Sequence, residues 1–346
     1  MAFMRRINYR TLPGRSHFAI LACAALLAAC GGSKAPASSS AVTPAVSGQA
    51  VQVLYAGSLV NLMEKGIGPA FKKVSGASYQ GQGAGSVALA NAIRDKTKTA
   101  DVFISADPAV NASLMGAANG NWVDWYVLFA RTSMVIGYNP KSQFAAGFAK
   151  AKAGALPWYQ VLEEPGLKLG RTDPNLDPKG YHTLFLFDLA QDYYRVPNLH
   201  QKLLGADANP AQVFPEETLE SRLEAGALDA GFFYLNETVE KNLPYITLPD
   251  EINQSQPAMA AAYGRVSWNN AKGQTVKGSP ILYTATVLNQ AKDPAAAAAF
   301  VQYLLSSAGQ AIVTQHGLLA SPVLYGGSRA KIPAAIQALA TGQYTS

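Results

Sequence analysis

Between Gly170 and Tyr181 the chain reads GRTDPNLDPKGY, and no other stretch limits the possible folds as strongly. Pro174 and Pro178 fix φ at their own positions and bias Asp173 and Asp177, just before them, away from helix. Gly180 offers a permissive bend, and the Asp and Asn side chains can hydrogen-bond their own backbone. Upstream, Leu167 to Leu169 reads as the end of a strand. Downstream, Leu184, Phe187, Leu189, Ala190 and Tyr193 recur at helical spacing across Thr183 to Tyr194. An acidic loop is therefore expected between a strand's C-terminal end and a helix start, where open α/β folds place their ligands. The expectation is a binding site at this loop, with two lobes built around it.

The first thirty residues read as an address. Arg5, Arg6, Arg10 and Arg15 form a basic leader, and Phe18 to Ala29 is an apolar run too short to span a membrane. It ends in Leu27-Ala28-Ala29-Cys30-Gly31, which resembles a bacterial lipoprotein signal, so residues 1–29 are expected to be removed and Cys30 lipidated. The plainer alternative is an ordinary signal peptide with an incidental cysteine. Both cysteines, Cys23 and Cys30, lie here, so the folded part holds no disulfide and depends on its core. The formal net charge of +6 counts the four leader arginines and falls to +2 without them. No Lys/Arg cluster replaces them, which removes the case for nucleic acid.

Residues 30–49 are rich in Ser, Ala, Pro and Gly and read as a flexible tether. Val51 to Tyr55 is a short strand, followed at once by Ala56-Gly57-Ser58-Leu59 and a helical pattern through Phe71. A helix opening on such a turn leaves unpaired N–H groups that, with the helix dipole, can seat an anion; Ser58 adds a hydroxyl, or is simply an N-cap. Gly81-Gln82-Gly83-Ala84-Gly85-Ser86 repeats the arrangement as a second Gly-Ser turn, before the helical run Val87 to Ile93. Ala100 to Ile104 and Met134 to Tyr138 are strands, with the crossover between lobes near the second. A helix starts after Pro215 with Glu216 and Glu217 in its first turn, and Leu228 to Tyr234 is a strand. Ile281 to Leu288 looks like the strand returning to the first lobe. Asp293-Pro294 opens a long helix that Gly309 can break.

Enzyme signatures are mostly missing: there is no G-x-S-x-G elbow, no H-E-x-x-H and no C-x-x-C. His182, His200 and His316 lack zinc spacing and read as structural or surface residues. From the residues alone, Asp177 can be a turn-former, Glu216 a complement to its helix dipole, and Tyr234 a core side chain.

Several segments together carry a family resemblance. Ala56-Gly57-Ser58-Leu59, Gly85-Ser86-Val87, Ala100-Asp101-Val102, DPNLDPKGY, LDAGFFY and Leu248-Pro249-Asp250-Glu251-Ile252-Asn253 occur in the order seen in periplasmic oxyanion-binding proteins. The chain most resembles the tungstate/molybdate-binding branch of ABC importers, over roughly residues 51 to 320. The resemblance implies an α/β, two-lobed type II periplasmic-binding-protein fold, each lobe a mixed sheet flanked by helices and joined by a two-segment hinge. Residues 50–133 plus 285–346 would form lobe 1 and 134–284 lobe 2.

It also implies a site of two serines, two carboxylates and a tyrosine around the anion. Carried over, these are Ser58, Ser86, Asp177, Glu216 and Tyr234, with Asp173 an alternative to Asp177 and Glu217 to Glu216. Two carboxylates repel a dianion in a dry cleft. The conflict eases if Asp177 and Glu216 bind molybdenum or tungsten itself, which can expand from four to six oxygen ligands, as sulfur and phosphorus do not readily do. Ser58, Ser86 and Tyr234 would then hold the oxo groups. The implied protein is a monomer without a cofactor, lipid-anchored facing the periplasm or cell exterior, and partnered by an ABC permease. A sulfate or phosphate binder on the same fold is the first alternative, and an anchored enzyme using Asp173, Asp177 and Glu216 the second.

Overall fold

The computed structural model describes residues 50–345. The leader, Cys30 and the tether lie outside the described residues. Strand β1 (Ala50–Ala56) runs into a single 3-10 turn, Gly57–Leu59, then a π-helical segment and helix α1 (Gly68–Ser75). Strand β2 (Ser78–Ala84) leads through Gly85 to α2 (Ser86–Arg94). Then come β3 (Val102–Ser105), α3 (Pro108–Ala112) and β4 (Trp125–Arg131). These strands join a mixed sheet with β11 (Leu282–Val287), β12 (Leu319–Ala320), β13 (Leu324–Gly327) and β14 (Gly342–Gln343), ordered β14-β13-β4-β11-β3-β1-β2 with β12 beside β4.

The second sheet, ordered β6-β7-β5-β8, is built from β5 (Met134–Tyr138), β6 (Leu169–Gly170), β7 (Ala230–Tyr234) and β8 (Tyr245–Thr247). Helices α4 (Ala145–Lys152), α5 (Trp158–Leu162), α6 (Pro178–Tyr194), α7 (Leu199–Leu203), α8 (Glu216–Glu224) and α9 (Leu235–Glu240) come from the same stretch of chain. Helices α10 (Asp250–Asn253) and α11 (Ala260–Tyr263) and the hairpin β9 (Ser267–Asn269)–β10 (Thr275–Lys277) follow. The chain passes between sheets twice, at Thr132-Ser133 and just before Leu282. The two passages are tied together, since Thr132 N–H donates to the Ile281 carbonyl (3.3 Å).

Three local readings are corrected. Gly81 to Ala84 is not a turn: it lies within β2, paired in parallel with β1 from Ser78 to Ala84. Helix α6 begins at Pro178, not Thr183, because Asp177 caps it through Lys179 N–H (3.2 Å) and Pro178 supplies a ready-made first-turn φ. Gly180 is therefore helical, and its smallness has another use: a Cβ there would lie 2.5 Å from Pro174 N. The long helix after Pro294 breaks at Ser306, not Gly309, into α12 (Pro294–Leu305) and α13 (Ser307–Gln315), bent by 63°. Ser306 Oγ accepts from Gly309 N–H (3.2 Å) and so caps the second piece.

Candidate oxyanion site between the two sheets

Three helix starts meet between the sheets. The first is the Gly57–Leu59 turn at the end of β1. The second is α2, whose first residue is Ser86, and the third is α6, capped by Asp177. Leu176, next to that cap, accepts from Ala88 N–H of α2 (2.9 Å) and so satisfies one of the orphan donors at the α2 start. Gly85 permits the approach, because a Cβ there would fall 2.5 Å from Leu176 O and 3.1 Å from Asp177 Cβ. Tyr181 adds a bond in the same direction, its hydroxyl donating to Asp107 Oδ2 (2.6 Å).

Glu216 crosses from α8 to the first turn. Its Oε2 accepts from Gly57 N–H (2.9 Å) and its Oε1 from Ser58 N–H (3.0 Å), a two-pronged grip on the turn read from the sequence as an anion seat. Ser58 Oγ is hydrogen-bonded to Tyr283 Oη (2.9 Å), and Asn236 Nδ2 donates to Ser58 O (2.7 Å). The Tyr283 ring in turn stands edge-on to the Tyr234 ring, with centroids 6.2 Å apart. Ser86 is buried and its Oγ accepts from Ala106 N–H (3.2 Å). The structure thus gathers Ser58, Ser86, Asp177, Glu216 and Tyr234 into one buried neighbourhood. Their rivals are less buried. Glu217 is exposed, and Asp173 spends Oδ1 on Asn175 N–H (2.8 Å) in a local turn.

Three polar atoms in this neighbourhood have no hydrogen-bond partner among the described residues: Thr172 Oγ1, Asp177 Oδ2 and Tyr234 Oη, all on side chains almost wholly buried. Buried polar atoms are seldom left so. Close by, His182 Nδ1 pairs with Gln254 Oε1 (2.6 Å), which leaves Nε2 unpartnered. A cavity of about 400 Å³ opens beside Asp177 and Glu216, lined also by Gly85, Ala88, Thr172, Asp173, Pro215 and Glu217 among others.

Burial dominates the electrostatics. It pushes Asp177 from 3.8 up to about 6, against the opposing pull of Lys179. Burial and the neighbouring Asp177 charge push Glu216 upward too. Tyr234 is raised well above its ordinary range by burial and then by Asp177. Sequence reasoning missed Lys179, which is fully buried with Nζ 2.6 Å from Glu237 Oε1 and 3.3 Å from Glu216 Oε1. Burial alone would lower its ammonium, but Glu237, Glu216 and Asp177 outweigh that and hold it above its ordinary value. The signal in the sequence was its place inside the capping turn, two residues after Asp177. A lysine gives no periodic hint that it points inward.

Comparison with known proteins identifies the family. A family model for bacterial extracellular solute-binding proteins matches residues 51–319. The molybdate/tungstate-binding proteins WtpA of Thermococcus kodakarensis and Pyrococcus abyssi are 32% and 33% identical to the chain. Those alignments cover 72% of this chain in each case, and 75% and 77% of the relatives. A Haloferax volcanii protein provisionally named an ABC transporter molybdenum-binding protein is 36% identical over 75% of this chain and 78% of its own. Among solved structures, the periplasmic molybdate-binding protein of Azotobacter vinelandii superposes with a TM-score of 0.54 at 15% identity, covering 78% of this chain and 99% of that one. The sulfate-binding protein SubI of Mycobacterium tuberculosis gives the same TM-score at 16% identity, covering 86% and 94%. These likenesses place the fold among two-lobed, type II periplasmic binding proteins. With the two scores equal, fold alone does not choose between a molybdate and a sulfate ligand.

Proposed function

The chain belongs to the bacterial extracellular solute-binding proteins, and from that premise we propose that it captures molybdate or tungstate between its lobes for delivery to an ABC permease. The observation that carries the reading is the meeting of Glu216 with the Gly57–Ser58 turn, beside the unpartnered Asp177 Oδ2 and Tyr234 Oη. A sulfate or phosphate site has no use for two buried carboxylates. An anion whose central metal accepts further oxygens does.

On this reading the Gly57 and Ser58 N–H groups, the Ser58 and Ser86 hydroxyls and the Tyr234 hydroxyl hold oxo groups. The Asp177 and Glu216 oxygens turn onto the metal. Three positions have to change for that to happen: Glu216 must leave the N–H groups it holds, and Ser58 Oγ and Ser86 Oγ must each add a bond beyond those with Tyr283 and Ala106. The closing units are taken as residues 50–133 with 285–346 and residues 134–284, although Leu282 to Thr284 pair within β11 in the first sheet. The relatives named for molybdate and tungstate support the choice of ligand. The protein is read as a binder without enzymatic turnover, exported, lipid-anchored through Cys30 and monomeric.

Titration calorimetry of the exported part against tungstate, molybdate, sulfate and phosphate tests the assignment. Heat with the first two and none with the others is expected. Tight sulfate binding with no response to tungstate or molybdate would end it.

A further inference from the structure

Lys179 is the one fully buried ammonium among the described residues, and its partners are unequal. Glu237 is committed on both oxygens, Oε1 to Lys179 Nζ (2.6 Å) and Oε2 to Tyr234 N–H (2.7 Å), which fixes it at the α9 start. Glu216 makes the longer contact (3.3 Å) and is the carboxylate that has to turn toward an arriving metal centre. An ammonium carries three donors. Only two have acceptors here, and one of those is about to leave. The Nζ also lies 5.5 Å from the centroid of the Tyr234 ring, on the tyrosine whose hydroxyl has no partner.

Resting on the molybdate/tungstate reading of the same site, we propose that Lys179 is a ligand-recognition residue. As Glu216 swings to the metal, the Lys179 ammonium stays on Glu237 and passes its freed donor to an oxo group. Three buried carboxylates (Asp177, Glu216 and Glu237) act on this ammonium. A dianion arriving beside them without a cation meets repulsion that burial makes severe. Lys179 offsets one of those charges at the point where the anion arrives. It thereby favours a doubly charged ligand over a neutral or singly charged one of the same shape.

The test separates this role from that of a structural ion pair by the sign of two substitutions. Calorimetry is run with tungstate and molybdate on the wild type and on Lys179→Met, Glu237→Gln and the double variant. Lys179→Met is expected to weaken binding by at least about tenfold, the scale of one lost charge-assisted hydrogen bond. Glu237→Gln is expected to leave affinity unchanged or tighten it, because the ammonium is then less shared. Should Lys179→Met fail to fold with Glu237 unpaired, the double variant carries the comparison, and binding at least tenfold weaker than in Glu237→Gln alone supports the proposal. A structural pair predicts that both single variants weaken binding alike, and that outcome overturns it, as does equal affinity of the double variant and Glu237→Gln. A tungstate-bound crystal structure adds a direct readout, with Nζ within hydrogen-bond distance of an oxo group expected and Nζ still on Glu216 overturning the idea. Wild type that binds neither ion overturns the reading of the site and this inference with it; wild type that binds while Lys179→Met matches it overturns this inference alone.

Discussion

Glu216 reaches out of α8 and grips Ser58 through its backbone N–H at 3.0 Å, although 158 residues separate them in sequence. The bond joins an element beside one sheet to a turn of the other. Replacing the carboxylate should therefore be felt in ligand binding first. Glu216→Gln and Asp177→Asn are each expected to weaken tungstate binding at least about tenfold, roughly 1.4 kcal/mol. Titration calorimetry checks this; unchanged affinity would return Asp177 to a turn-forming cap and Glu216 to a complement of its helix dipole.

Gly57 lets that contact form. A Cβ there would lie 2.5 Å from Glu216 Oε2, so Gly57→Ala should push the carboxylate off the turn while leaving its charge in place. Losing the paired bonds should cost about 1–3 kcal/mol in the ligand-free protein. A lower melting temperature together with a larger radius of gyration by small-angle scattering is the expected pair of results.

Gly180 is confined by backbone instead of by a movable side chain. Its Cβ would sit 2.5 Å from Pro174 N and 2.6 Å from the Asp173 carbonyl carbon. Gly180→Ala must shift the acidic loop against the first turn of α6, at a cost of about 1–3 kcal/mol. Chemical denaturation measures it, and a variant as stable as wild type would show that the loop gives way freely.

Asp177 makes stability and binding respond to pH in opposite senses. Its folded pKa, about 6, lies above its ordinary 3.8, so between those values the folded chain holds more protons than the unfolded one. The Asp177 contribution therefore favours the folded state at acid pH and is lost as pH rises through about 6. A carboxylate that must bind a metal centre works the other way, and tungstate affinity should fall as pH drops below about 6. Asp177→Asn should flatten its share of the stability slope in pH-dependent denaturation. A wild-type affinity independent of pH from 5 to 7 would contradict the ligand role.

The elements legible in the sequence were those whose signal is local. Strand β1 and the turn after it, the proline-fixed acidic loop and the Glu216 helix start each announce themselves through residue type within a few positions. Asp177 is more deeply buried than Asp173, and Glu216 than Glu217, a difference that only the fold creates. Gly81 and Gly83 read as a turn because glycine disfavours strands; pairing with β1 along seven residues overrides that preference. Lys179 stayed hidden because a buried ammonium is justified only by carboxylates distant in sequence, and Glu237 lies 58 residues away.

The two-pronged hold of Glu216 on Gly57 and Ser58 means the seat is kept by a tethered tenant. Any visiting anion competes with a carboxylate whose local concentration is set by the chain and not by the surroundings. A visitor that can only take hydrogen bonds must evict it and leave its charge stranded. A visitor with an open coordination position gives the displaced oxygen somewhere to go. On the proposed reading, the fork would act as a sieve for chemistry, sorting anions of like size by what their central atom can still accept.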